Sequence, residues 1–167
     1  LRTGDYFNVQ MCYHDIPERL NPFDYETFDK NPSKGYAVVT NIETGLAEYL
    51  PMKNMHRNID AVRASASMPL VSRPVEINGK LYLDGGLADS IPLLHAVTDG
   101  CRKNVVVMTK ETGYRRVQPK HLELIKARYV KYPKVYELMA NRAAAYNQQL
   151  DYLEAEVKNG TAFLIQP

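Results

Sequence analysis

The sequence predicts an α/β fold, a layered sheet with helices on both faces, and three observations predict it. Short β-branched runs recur at 36–40, 75–77 and 104–109. Stretches with apolar residues at steps of three and four stand between and after them. The last of the runs, Asn104 to Thr109, reads as a fully apolar strand, the kind buried on both faces of a parallel sheet.

The elements follow in order. Residues 1–35 are mixed: FNVQMCYHD fits a strand or a short helix, and Asp24–Tyr25–Glu26 after Pro22 reads as a helix start. Tyr36 to Thr40 and Leu46 to Leu50 are two strands around a turn at Glu43–Thr44–Gly45. Asn58 to Ser67 suits a helix that ends in the small residues ASASM and is stopped by Pro69. Val75 to Ile77 and Leu81 to Leu83 form a tight hairpin, because Asn78–Gly79 accepts the positive φ angles of its turn. IPLLHAV is a short helix begun near Pro92. From Pro119 to about residue 158 the chain reads as helical, with one stripe at Leu122, Ile125 and Tyr129. A second stripe runs through Val135, Met139, Tyr146, Leu150, Leu153 and Val157, and TAFLI closes as a strand.

Composition bounds the function only loosely. The 167 residues are 45% hydrophobic and 24% charged with a net charge of +2, enough for one domain with a core and too balanced to name a partner. Cys12 and Cys101 lack a CxxC or a histidine pair, which argues against a zinc site and fits a reducing, cytoplasmic location. The longest apolar runs are too short to span a bilayer.

The stretch LYLDGGLADSIP, residues 81–92, carries the chemistry. A strand that runs into an aspartate and two glycines presents a carboxylate at its carboxyl end, the edge where open α/β sheets place their ligands. Glycine takes φ > 0 without steric penalty, so the pair predicts a sharp turn after Asp84. A carboxylate held there can take the proton of a nucleophilic hydroxyl. On the residues alone, Asp84 equally well caps its own turn or the next helix.

Read as a whole, RASASMPLVSRPVEINGKLYLDGGLADSIPL resembles the C-terminal catalytic segment of the patatin-like phospholipases, bacterial members above all. The shared parts are the small-residue stretch Ala64 to Pro69, the hairpin Val75 to Leu83, the triplet Asp84–Gly85–Gly86, and Ile91–Pro92. The resemblance implies a Ser–Asp dyad cleaving lipid or other acyl esters, with Asp84 as base and no cofactor or metal. Gly85 and Gly86 would set its position, and Ser65, Ala66, Ser67, Met68 and Pro69 would pack beside or line the substrate site.

The family's nucleophile sits in a G-x-S-x-G elbow, and none of the five serines, Ser33, Ser65, Ser67, Ser72 and Ser90, stands in one. Ser33 comes nearest, but Asn31 replaces the first glycine and no strand precedes it. Ser90 reads as a helix cap. The expectation is therefore that residues 1–167 are the C-terminal portion of a single patatin-like domain, inactive alone, with the serine outside them; the alternative is a protein that kept the fold and lost the reaction. The histidines His14, His56, His95 and His121 stand in no catalytic motif, and His95 reads as a half-buried or surface helix residue.

Between Lys110 and Lys134, eight Lys and Arg side chains face only Glu111 and Glu123. A basic helix there could be a solvated face or lie on an anionic membrane surface. The alternative function is thus a non-catalytic membrane-surface domain. A nucleic-acid partner is not expected, since no recognised binding motif accompanies the charges.

Overall fold

The computed structural model describes Asp5, residues 7–120 and residues 122–167. Among the described residues of the mixed N-terminal stretch, two helices form. Met11–Leu20 forms a wide-turned helix, with Asn21 N–H donating to Ile16 O, five residues back. Helix α1 (Tyr25–Lys30) starts where expected, because the Asp24 side chain accepts the Thr27 N–H at 2.9 Å.

Strands β1 (Tyr36–Asn41) and β2 (Ala47–Pro51) pair antiparallel. Their turn closes on Asn41, whose side-chain oxygen accepts the N–H groups of Glu43 and Thr44. β3 (Val75–Ile77) and β4 (Lys80–Asp84) pair across Asn78 and Gly79 at φ +52° and +76°, as the dipeptide demands. The antiparallel sheet has the order β2-β1-β4-β3, and Val39 stands opposite Asp84.

Alternation along these strands separates two cores, so helices cover both faces. On one face Val39, Val75 and Tyr82 pack with Ala64 of α2 (Ile59–Ser65). On the other, Ile42 and Leu83 meet Ile125 of α4 (Leu122–Arg128) and Val135 of α5 (Pro133–Lys158). The helical stretch expected from Pro119 begins at Leu122 and breaks at 129–132, because the residue before Pro133 is driven out of the α region.

The second sheet is a parallel pair, β5 (Asn104–Val107) beside β6 (Ala162–Ile165). Val106 and Leu164 pack with Tyr146 and Leu153 of α5, and with Leu93 of α3 (Leu93–Thr98). The other face is bare: Val105, Val107 and Phe163 are 66%, 69% and 65% exposed. The expectation of a doubly buried strand is therefore corrected. An apolar run shows that both faces favour cover, but among the described residues only one face has a helix to supply it. Helix α5, 26 residues and so about 39 Å long, joins the two sheets: Val135 and Met139 serve the first core and Tyr146 to Val157 the second.

A polar cluster ties three strands together. Glu48 on β2 accepts from Asn41 Nδ2 at 2.8 Å, Tyr82 OH at 2.7 Å and Lys80 Nζ at 3.2 Å. Burial pushes the Glu48 carboxyl up, but the bonds from Asn41, Tyr82 and Lys80 outweigh it, and the net shift is downward. The Tyr82 phenol is pushed up from 10.0 to about 12, first by burial and then by its bond to Glu48. A phenol with a raised folded pKa stabilises fully below its unfolded value, and that contribution is lost as pH rises through the folded one. Thermal unfolding followed by circular dichroism should therefore show the melting temperature falling as pH climbs from 10 towards 12. Tyr82→Phe should flatten part of that fall; an unchanged alkaline limb would refute the assignment. Glu48 acts with the opposite sign, its contribution being lost in acid as pH falls through its depressed pKa.

Candidate functional site

Asp84 ends β4, and neighbours on several elements hold it. Its N–H donates to Ser67 O at 2.8 Å, and its carbonyl accepts Thr40 Oγ1 at 2.8 Å. Thr40 is fully buried on β1, and its hydroxyl also accepts Ala88 N–H at 3.3 Å, so one side chain pins both ends of the loop. Asp84 Oδ1 accepts Gly86 N–H at 2.7 Å. Oδ2 has no hydrogen-bond partner among the described residues. The turn-capping bond and an available second oxygen thus coexist.

The two glycines do different work from that expected. Neither lies at positive φ; the chain continues as a tight turn over Gly85–Leu87. At Gly85 the constraint is space, since a Cβ would stand 2.3 Å from Val38 O and 2.5 Å from Val38 C. Only glycine lets this loop lie against β1. A Cβ on Gly86 would meet Asp84 Oδ1 at 3.1 Å and Arg142 Nη2 at 3.8 Å, so Gly86 faces the carboxylate itself.

A cleft of about 300 Å3 opens here, lined by Asp84, Gly86, Ser90, Thr109, Lys110, Arg116, Arg142 and Tyr146 among others. It lies past the carboxyl ends of both β4, in the antiparallel sheet, and β5, in the parallel pair. Ser90 does not cap a helix: α3 follows Pro92 at its N-cap, and Ser90 Oγ donates to Gly86 O at 2.7 Å. Gln149 of α5 anchors the same loop. Its Oε1 accepts the N–H groups of Ser90 and Ile91, and its Nε2 donates to Asp89 at 2.9 Å.

The stretch Ser65 to Pro69 is beside Asp84 but does not line this cleft. Ser67 is buried, donates its hydroxyl to Arg63 O and supports the Asp84 backbone; Ser65 and Pro69 are half-buried, Ala66 and Met68 exposed. His95 is half-buried, stacked flat on Tyr49 at 3.4 Å between ring centroids, in a separate cavity of about 640 Å3. His121 lies outside the described residues. Among the described residues no His, Cys, Asp and Glu cluster could hold a metal ion, and no helix is long and apolar enough to cross a membrane.

The basic stretch is not one helix face. Residues 110–120 are irregular, and the cations take separate partners: Arg115 pairs with Asp151 and Glu154, Lys134 with Glu137, and Lys126 lies over the Tyr136 ring. Arg116 and Arg142 turn into the Asp84 cleft, residues that sequence reasoning missed. One signal pointed to Arg142: it interrupts the apolar stripe of α5 between Met139 and Tyr146.

A family model described as Patatin-like phospholipase matches residues 4–97, more than half of the chain and the whole Asp84 loop. The chain belongs to the patatin-like phospholipase family. In this patatin-like chain, residues 132–167 match a second family model, described as a domain of unknown function (DUF6363). The cleft is therefore shared, with Asp84 and Gly86 from the patatin-like part and Arg142 and Tyr146 from the second match. The Uncharacterized protein YjjU of Escherichia coli (strain K12) is 39% identical over 62 residues, which are 36% of this chain and 17% of that protein. The matched segment thus spans less than a fifth of that patatin-like chain's relative.

Proposed function

We propose that the protein is a serine acyl hydrolase acting on carboxylic esters of lipids, with Asp84 as the base of a Ser–Asp dyad. The serine belongs to a segment outside these 167 residues. The observation that carries this reading is the Asp84 carboxylate, at a strand's carboxyl end beside a cleft, with Oδ1 fixed by Gly86 N–H and Oδ2 open. A base must be held still and keep an oxygen for the proton, and this geometry does both.

In the first half-reaction the serine O–H bond breaks, its proton passes to Asp84, and Oγ bonds to the ester carbonyl carbon. The alcohol leaves with that proton, and water then releases the acid by the same route in reverse. The bare face of β5 and β6 supports a further covering segment, since exposed apolar sheet of this kind favours burial. Membership of the family supports a lipid ester as substrate.

The test is hydrolysis of a p-nitrophenyl ester and of a phospholipid. Residues 1–167 alone should give no turnover, and the same chain with an upstream G-x-S-x-G segment should. Clear turnover by residues 1–167, abolished by Asp84→Ala, would place the nucleophile inside them and overturn this assignment of the serine.

A further inference from the structure

The cleft beside Asp84 holds more positive charge than its carboxylate can balance. Arg116, Arg142 and Lys110 line it with Asp84. Neighbouring Arg115 has two carboxylate partners, whereas Arg116 and Arg142 form no ion pair among the described residues. The Nε atoms of both are buried without a hydrogen-bond partner. Burial, and then the charge of Arg116, push the Arg142 guanidinium down from its usual range, and Asp84 only partly opposes this.

Both side chains are placed rather than stray. The Arg116 backbone is clamped to Asn147 by bonds of 2.9 and 3.1 Å, and its guanidinium lies 4.4 Å from the Tyr146 ring centroid. Arg142 projects from the apolar stripe of α5. Two adjacent half-buried cations that share a single carboxylate are unfavourable, and a bound anion reduces that penalty. Guanidinium forks match oxyanions. One fork already satisfies the two oxygens of a carboxylate, while two forks and an ammonium suit a tetrahedral group with more acceptors.

We propose that Arg116 and Arg142, with Lys110 at the margin, form a phosphate-binding site in the Asp84 cleft. It rests on the hydrolase reading only for its consequence, that the site places an ester next to Asp84 through a nearby phosphate. The occupant is a phosphate oxyanion, free or in a lipid headgroup.

The protein is titrated by calorimetry with inorganic phosphate, with dihexanoyl phosphatidylglycerol below its micelle concentration, and with hexanoate. Saturable binding of either phosphate compound, with a phosphate-dependent rise in melting temperature, is expected. Arg142→Gln and Arg116→Gln should each weaken it by about tenfold or more, the scale of a lost charged hydrogen bond. Arg142→Lys should recover part of the loss. Binding of the lipid alone assigns the site to headgroups, and binding of both shows that free phosphate suffices; each supports the proposal. No saturable binding, equal binding in both Gln variants, or tighter binding of hexanoate overturns it. A protein that binds phosphate but hydrolyses no ester keeps this site and loses the hydrolase reading; one that hydrolyses esters without binding phosphate does the reverse.

Discussion

Asp84→Asn, in a chain that carries the proposed upstream serine, should lower kcat for ester hydrolysis by about 10²–10⁴-fold, the range that a positioned general base supplies. The substitution is chosen to separate chemistry from folding. An asparagine oxygen can still accept the Gly86 N–H that Asp84 Oδ1 now accepts at 2.7 Å. The backbone bonds to Ser67 and Thr40 do not involve the side chain at all. The melting temperature should therefore stay close to that of the parent while turnover collapses, because an amide cannot take a serine proton. Burst and steady-state assays on a chromogenic ester, with melting curves on the same samples, decide it. Retained turnover would remove Asp84 from the chemistry; lost turnover with lost folding would make it structural.

Gly85→Ala should destabilise the fold by about 3 kcal/mol or more, at the upper end of overpacking costs. The added carbon would stand 2.3 Å from Val38 O and 2.8 Å from Val38 Cγ1. Val38 sits in the middle of β1, paired with Tyr49, so its carbonyl cannot move aside without disturbing the sheet. Gly86→Ala is the informative partner. Its nearest contact is a side-chain oxygen at 3.1 Å, so the fold should survive and any loss should fall on kcat through a displaced carboxylate. Chemical denaturation of the two variants should separate them clearly. Equal stability for both would refute the close-approach account of Gly85.

The local elements were largely legible because short-range rules decide them. Asn78–Gly79 made its turn, Asp24 capped its helix, and alternation along β4 sent Tyr82 and Leu83 to opposite cores. The α/β class and the family were legible too, since both reside in the order of such elements and in the Asp-Gly-Gly triplet. The reason for the triplet was misread. A φ argument looks only at the residue itself, whereas Gly85 is required by a strand more than forty positions earlier. The strand Asn104–Val107 was misjudged in the same way, because an apolar run records what would favour burial and not what is present to bury it.

By itself, the sequence determined the turns, the caps, the amphipathic faces and the aspartate at the tip of β4, all of them set by neighbours within a few residues. Tertiary structure alone decided the cleft. Arg142 lines the cleft of Asp84 because one long helix spans both sheets, and Arg116 because its backbone is bonded to Asn147 of that helix. Electrostatic environment depends on distance through space, and no spacing along the chain encodes that distance.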